Sequence, residues 1–147
     1  MRIYEITNRT PECLAELLAV WERSVRATHT FLSESEILRI RGYVPQALAA
    51  VPQLAVLAED GRLLGFLGAG EGRLEMLFLD PDARGRGLGR ALLTYGLEHY
   101  AIREVTVNEQ NPAALGFYRH FGFREYRRTE TDEEGGPYLL LYLRREG

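Results

Sequence analysis

The sequence predicts an α/β fold of the α+β kind, in which one mixed sheet of six or seven strands is flanked by about four helices. The chain has 147 residues, about the length of one domain, so residues 1–147 are expected to form a single unit. Strand-like and helix-like patterns alternate in the order β-α-α-β-β-β-α-β-α-β-β. The fourth and fifth strands flank a helix and should run parallel, whereas short turns elsewhere predict antiparallel neighbours.

A strand at residues 3–6 opens the chain, and two helical stretches follow it. Thr10-Pro11-Glu12 is typical of a helix start, because a capping hydroxyl, a proline at the first helical position and an acidic first turn are favourable there. Apolar residues at helical spacing extend this helix to about Ala27. Ser33 begins a second helical stretch, which a glycine and a proline break before a short turn that reaches Ala50.

The middle of the chain is predicted to contain three strands, at residues 53–59, 62–69 and 73–79. Asp60-Gly61 is a strong hairpin signal between the first two. Glycines inside the second strand predict close packing or a bulge. The rest of the chain is predicted to contain a helix at 88–100, a strand at 104–107, a helix that starts at 111–112, a strand from 123, a turn at 133–136 and a closing strand at 138–143.

Composition excludes several classes of function. The net charge of −3 argues against a dedicated nucleic-acid binder. Cys13 is the only cysteine, and His29, His99 and His120 lie far apart, so no disulfide or metal site is expected. The chain has no signal-like N-terminus and no apolar run near the ~20 residues that cross a membrane. We therefore expect a cytoplasmic protein that does not enter a membrane.

The segment Arg84-x-x-Gly87-x-Gly89 stands between a strand that ends at Leu79 and a helix that begins near Leu88. A helix N-terminus presents free N–H groups and partial positive charge to an anion, and glycines let a phosphate approach the main chain. Neither the P-loop pattern nor the dinucleotide fingerprint is present. The segment therefore predicts a phosphate site, in which the arginines at 86 and 90 either contact the ligand or remain at the surface.

A second cluster runs from Asn111 to Phe123. Asn111 either caps the helix that follows or bonds the amide groups of a ligand beside the fifth strand. Tyr118 lies on the same helix and is either a core tyrosine or an acid, since a phenol of pKa ~10 can protonate a departing thiolate.

Together these clusters resemble the GNAT superfamily, the Gcn5-related N-acetyltransferases. The first cluster matches that family's Q/R-x-x-G-x-G/A motif, and the second matches N-x-x-A-x-x-F-Y-x-x-x-G-F. The chain is also similar to a bacterial branch of the family, the YjaB-like acetyltransferases, in four stretches: Ser24 to Leu32, Leu77 to Pro81, Val107 to Asn111, and Gly136 to Tyr138.

The resemblance implies a fold that splays between strands 4 and 5 and an acyl-CoA, expected to be acetyl-CoA, held in the gap. It implies a backbone pairing of strand 4 with the pantetheine arm, main-chain contacts to the pyrophosphate, and Tyr118 as general acid. The cofactor contacts that it implies are Leu77, Phe78, Leu79, Arg84, Gly85, Arg86, Gly87, Leu88, Gly89, Arg90, Asn111, Ala114 and Tyr118.

The general base has two candidates. Glu75 is expected to share a face of strand 4 with Leu77 and Leu79, because side chains alternate along a strand. His29 lies between the first two helices, in the segment that lines the acceptor site in the family, and its pKa near 6.5 suits a base. Its neighbours Thr28 and Phe31, together with Asn108, are the other expected acceptor contacts.

The predicted function is acetyl transfer from acetyl-CoA to a primary amine by direct attack in a ternary complex. A non-catalytic acyl-CoA sensor and a transferase for longer acyl groups are the alternatives. The acceptor is a small-molecule or peptide amine, and the acidic Glu34, Glu36 and 130–134 region favours a cationic one. A monomer or a homodimer is expected, in which an exposed last strand could pair between chains.

Overall fold

Seven strands form one mixed sheet, in the order β1-β2-β3-β4-β5-β7-β6, in a computed structural model that describes residues 1–133 and 135–146. The strands are β1 (Arg2–Glu5), β2 (Gln53–Glu59), β3 (Arg62–Gly70), β4 (Arg73–Leu79), β5 (Glu104–Asn108), β6 (Phe123–Thr129) and β7 (Leu140–Arg145). The helices in this part of the chain are α1 (Pro11–Thr28), α2 (Glu34–Arg41), α3 (Val44–Ala50), α4 (Leu88–His99) and α5 (Pro112–His120). The predicted mixed α/β architecture is confirmed.

Local caps start the helices where the sequence predicts them. The Thr10 hydroxyl accepts a hydrogen bond of 3.1 Å from the Cys13 N–H, and Ser33 and Glu36 cap each other's backbone N–H groups at the start of α2. The short turn expected before residue 50 is the seven-residue helix α3, in which Pro45 occupies the first turn and removes no helical hydrogen bond. None of the described helices has both the length and the apolar character needed to cross a bilayer.

The last strand differs from its prediction. It begins at Leu140 rather than at residue 138 and lies between β5 and β6, so it is not an exposed edge for pairing between chains. Pairing on both sides covers its backbone, and β1 and β6 form the edges of the sheet instead. The turn predicted at 133–136, like the acidic run 130–134, includes residue 134, which lies outside the described residues.

The sheet parts between β4 and β5, as expected. These parallel strands pair at only two positions, Arg73 with Glu104 and Leu74 with Val105. Glu75 comes next and forms a bulge, because Gly68 pairs with Met76 and the next residue of β3 pairs with Leu74. A bulge bends its strand and increases the local twist, so β4 turns away from β5 where the pairing ends.

Glycines bring α4 close to the sheet beside this split. A Cβ on Gly65 would lie 2.6 Å from Leu79 Cδ2, and one on Gly96 would lie 2.6 Å from Ile102 Cδ1. The close packing predicted for a glycine inside β3 is therefore present at Gly65. The N-terminus of α4 lies at the carboxyl end of β4, since a Cβ on Gly89 would come within 3.2 Å of Leu79 Cδ1.

Asp80, the residue after β4, links the end of that strand to α1 and β3. Its carboxylate is fully buried and accepts hydrogen bonds from Arg23 of α1 at 2.8 Å, from Arg62 of β3 at 3.0 Å and from the N–H of Asp82 at 3.0 Å. Burial alone would raise the pKa of Asp80, but these three donors outweigh it and lower the pKa. We call this arrangement the Asp80 clamp, since it ties α1 and β3 to the start of the loop before α4.

The Asp80→Asn substitution should destabilise the protein by about 2 kcal/mol, because it removes the charge that compensates two arginines. Both arginine side chains are about half exposed, at 46% and 53%, so they can regain water and the cost stays below that of a fully buried pair. Urea unfolding at neutral pH measures the change. Asp82→Asn is the matched control: that carboxylate is 81% exposed and should change stability by less than about 0.5 kcal/mol.

The clamp also predicts a dependence of stability on pH. The pKa of Asp80 is lower in the folded than in the unfolded chain, so its carboxylate stabilises the fold fully above about pH 4. That stabilisation should be lost as the pH falls through the folded-state pKa. Urea unfolding between pH 2 and about pH 7 tests this. If the Asp80→Asn variant lost as much stability on acidification as the unsubstituted protein, the prediction would be contradicted.

Candidate active site

A cleft of about 150 Å³ occupies the gap between β4, β5 and α5. Beyond Leu74 the backbone groups of β4 that face β5 have no strand partner in the described chain. The cleft is lined by His29, Leu74, Glu75, Met76, Leu77, Phe78, Val105, Thr106, Val107, Asn108, Asn111, Ala114 and Tyr118. Within the described residues, no three histidine, cysteine or carboxylate side chains are grouped so as to hold a metal ion.

The cleft brings together eight of the sequence-predicted site residues: His29, Glu75, Leu77, Phe78, Asn108, Asn111, Ala114 and Tyr118. Its lining does not include Thr28, Phe31, Leu79 or residues 84–90. Leu77 and Phe78 border the cleft, whereas Leu79 packs in the core beside Gly89. The side chain of Leu88 is also buried in the core, so only its backbone belongs to the loop before α4.

The glycine loop, residues 84–89, leads into an uncapped helix. Gly85 and Gly87 have φ angles of +75° and +74°, in the left-handed region, and an added Cβ on either would meet no atom within 4 Å. Glycine is therefore favoured at these two positions by the backbone conformation and not by a lack of space for a side chain. Gly87 precedes α4 without a side-chain cap, so the first N–H groups of the helix remain available to an anion.

The three arginines of this region have different surroundings. Arg86 donates to Glu59 at 2.6 Å, and Arg90 lies 3.2 Å from the His120 ring nitrogen. Arg84 makes no ion pair within the described chain, and its charge lowers the pKa of His29. Of the three, Arg84 is the arginine whose charge acts on a residue that lines the cleft.

Asn111 has the capping role, one of the two alternatives that the sequence left open, and it lies beside the cleft. Its Oδ1 accepts a hydrogen bond of 3.2 Å from the N–H of Ala114, which caps α5, and the same residue borders the cleft. Ala114 borders it one helical turn later. A capping contact thus holds the asparagine at the edge of the gap, where its side-chain N–H groups face no acceptor in the described part of the protein.

Tyr118 is buried among aromatic rings but keeps its hydroxyl accessible. Phe117 and Phe123 pack against its ring at centroid distances of 5.3 and 5.8 Å. The hydroxyl has no hydrogen-bond partner in the described chain. Every fully buried side-chain oxygen in that part of the protein has such a partner, so the Tyr118 oxygen is not fully buried. The oxygen therefore retains contact with the open cleft. Burial raises the pKa of Tyr118, which keeps the phenol protonated at neutral pH.

Glu75 lies in the bulge, where the two-residue alternation of β4 fails. Leu74 and Leu77 are three positions apart and face the same core cluster, so alternation does not place the carboxylate on the face of Leu77. Glu75 borders the cleft, its side chain is 46% exposed, and its Oε1 lies 3.4 Å from Arg73 Nε.

His29, the residue after α1, also lines the cleft. Its ring packs against Phe31 and Phe78 at centroid distances of 5.4 and 6.4 Å. Nδ1 lies 2.8 Å from the Thr28 hydroxyl. Burial lowers the pKa of His29 and the charge of Arg84 lowers it further, so the imidazole is neutral at physiological pH.

A second cavity of about 360 Å³, which we call the aromatic hollow, adjoins the cleft and shares His29 and Asn108 with it. Phe31 and Tyr138 face each other there at 6.2 Å. Its other lining residues are Leu32, Arg39, Ile40, Asp132, Glu133 and Leu140. Thr28 does not line the hollow and touches it only through His29. Sequence reasoning missed the contribution of Tyr138. Phe31 and Tyr138 lie far apart in the chain, and no local pattern predicts that they come into contact.

Comparison with known proteins gives matches of three kinds: to a family model, to curated proteins and to solved structures. Residues 30–139 match the family model described as an acetyltransferase (GNAT) domain. The chain is 40% identical over 128 residues to the peptidyl-lysine N-acetyltransferase YjaB of Escherichia coli strain K12, a match that covers 87% of each protein. The solution structure of apo-form YjaB from Escherichia coli is similar with a TM-score of 0.86 and 39% identity, and the match covers 100% of this chain and 99% of that one.

One further structure is similar in fold alone. It is a PaiA N-acetyltransferase from Thermoplasma acidophilum in complex with coenzyme A, with a TM-score of 0.71 and 23% identity over 98% of this chain and 99% of that one.

Gly87→Ala should destabilise the protein by about 1 kcal/mol, because a Cβ disfavours the left-handed conformation of residue 87 even where space is available. Gly116→Ala is the matched control. Gly116 lies exposed inside α5, where alanine is the better helix former, so this change should stabilise by up to about 1 kcal/mol. Urea unfolding of both variants measures the difference, and equal effects would contradict the conformational role of Gly87.

Proposed function

The chain belongs to the GNAT acetyltransferase family, and from that premise we propose that it transfers the acetyl group of acetyl-CoA to a lysine ε-amine in a protein or peptide. The name of the relative YjaB, a peptidyl-lysine N-acetyltransferase, supports the acceptor class. One observation carries the proposal. The split between β4 and β5 is bordered both by a tyrosine with an accessible hydroxyl and by the end of a strand that leads to an uncapped helix.

The residues present fit a CoA thioester. The uncapped N–H groups of α4 and the open space around Gly85 and Gly87 suit a diphosphate, and Arg84 adds a positive charge. The unpaired edge of β4 at Leu77 and Phe78 suits amide groups that add to it as a strand would. Acetyl-CoA supplies an activated acyl group on a thioester.

Tyr118 is proposed as the general acid that protonates the departing sulfur. Its hydroxyl oxygen opens into the cleft, and its raised pKa keeps the phenol protonated at neutral pH, so a proton is in place for the sulfur as the C–S bond breaks.

Direct attack by the amine is favoured over an acyl-enzyme. Cys13 is the only cysteine, it does not border the cleft, and burial raises the pKa of its thiol. A thiol that resists ionisation and lies away from the site is a poor nucleophile. Initial-rate plots for the two substrates should therefore intersect, as for a ternary complex, rather than run parallel.

The aromatic hollow is the proposed site of the lysine side chain. Phe31 and Tyr138 offer apolar surface to the methylene stem. The lining has two acidic side chains, Asp132 and Glu133, against one basic side chain, Arg39, and this net negative charge favours an ammonium group. Glu133 also pairs with Arg73 at 3.3 Å. The hollow meets the cleft at His29 and Asn108, so an amine that enters there reaches the gap between the strands.

His29 is the proposed general base. A lysine amine of pKa ~10.4 is almost fully protonated at neutral pH and must lose a proton before it attacks. His29 borders both cavities, and its lowered pKa leaves it neutral and able to accept that proton. Glu75 is exposed and paired with Arg73, which makes it the weaker candidate.

Tyr118→Phe should lower kcat by about 10²-fold with little change in KM for acetyl-CoA, because it removes the acid but leaves the ring in place. Release of free thiol from acetyl-CoA in the presence of a lysine peptide measures the rate. Tyr43→Phe is the matched control, since Tyr43 is exposed and lies outside the cleft. No thiol release by the unsubstituted protein with any amine, despite acetyl-CoA binding, would instead favour a non-catalytic sensor.

His29→Gln should lower kcat by about 10²-fold, whereas Glu75→Gln should change it only a few-fold. Because burial and Arg84 lower the pKa of His29, its NMR titration in the free protein should have a midpoint below 6.5. The fall in rate on the acid side of the pH profile should disappear in His29→Gln. The opposite ranking of the two variants would transfer the role to Glu75.

A further inference from the structure

The Thr28 hydroxyl has two neighbours and one proton. Its oxygen lies 2.8 Å from the carbonyl oxygen of Ser24, one helical turn earlier, and 2.8 Å from His29 Nδ1. A carbonyl oxygen only accepts hydrogen bonds, so the hydroxyl must donate to Ser24. The bond to His29 then requires the imidazole to donate, with its proton on Nδ1.

From this geometry we propose that Thr28 is a positioning residue that holds the proton of neutral His29 on Nδ1 and thereby presents an unprotonated Nε2 to the acceptor amine. The proposal rests on His29 acting as base in the proposed function. Thr28 lines neither the cleft nor the aromatic hollow, so its effect is exerted through the ring alone. The last residue of α1 thus sets the chemistry of the first residue after it.

The surroundings of Nε2 suit this role. The ring is held between Phe31 and Phe78, so it has little freedom to rotate. Thr28 is the only hydrogen-bond partner of the ring in the described chain, so Nε2 has none. Every fully buried side-chain nitrogen in that part of the protein has a partner, so Nε2 is not fully buried. Nε2 therefore remains open to solvent where the cleft meets the aromatic hollow. The charged groups that border His29 or these two cavities are Arg39, Glu75, Arg84, Asp132 and Glu133.

The protons balance with Nε2 as the acceptor. The lysine ammonium gives one proton to His29 Nε2, directly or through one water, and His29 later releases it to solvent. The neutral amine forms the C–N bond as the C–S bond breaks, and Tyr118 gives its proton to the sulfur. The second proton of the amine nitrogen then restores the Tyr118 phenol. The net products are an amide, a free thiol and one proton.

Nitrogen NMR of the histidine ring tests the proposal without any substrate. Spectra of the free protein above the titration midpoint should show His29 protonated at Nδ1 and unprotonated at Nε2. Thr28→Val removes the acceptor for Nδ1–H and should shift the ring to a mixture of the two tautomers, while Thr28→Ser should keep the original form. An unprotonated Nδ1 in the unsubstituted protein would overturn the proposal, whatever the activity.

Kinetics supply the second readout. Thr28→Val should lower kcat about five- to tenfold, in line with the loss of one hydrogen bond, and Thr28→Ser should restore most of it. KM for acetyl-CoA and the unfolding midpoint should change little. Thr94→Val, which removes a hydroxyl from α4 outside the cavities described above, is the control. An altered tautomer with an unchanged kcat would reject the catalytic part of the proposal and leave the acetyltransferase function standing.

Discussion

The parting of β4 from β5 is the constraint on which the rest of the site depends. Two paired positions join the strands at one end, and the bulge at Glu75 then bends β4 away. A parallel pair that continued would satisfy its own backbone groups and leave no gap. The split leaves one edge of β4 unpaired inside the sheet, and this edge is a backbone surface to which a second chain-like molecule can add.

Elements on both sides keep that gap open and place groups at it. The Asp80 clamp ties the end of β4 to α1 and β3, and close packing at Gly65 holds α4 against the same end. On the other side, Asn111 caps α5, and Tyr118 extends from that helix into the gap. The proposed acid and the proposed anion site thus lie on two helices on opposite sides of the split, so both can contact one molecule bound between them.

Parts of the candidate site could be predicted from sequence because they are local. The start of α1 depends on contacts between Thr10 and Cys13, three residues apart, and the glycine loop depends on φ angles that glycine favours. Other parts could not. Regular alternation was expected to place Glu75, but the bulge interrupts it, and bulges arise from pairing with β3 rather than from the residue itself. For Arg86 the sequence left open a ligand contact or a surface position, and it could not predict the ion pair with Glu59, 27 positions away.

The order of elements, the helix starts and the pair of motifs that identify the family can be predicted without the fold, because they depend on short-range caps, turns and periodicity. Three features appear only in the folded protein: the last strand lies inside the sheet, Asp80 binds two arginines, and His29 lies where two cavities meet. Those outcomes require segments far apart in the chain to come into contact. Their energies depend on burial and on partners that exist only once the sheet has formed.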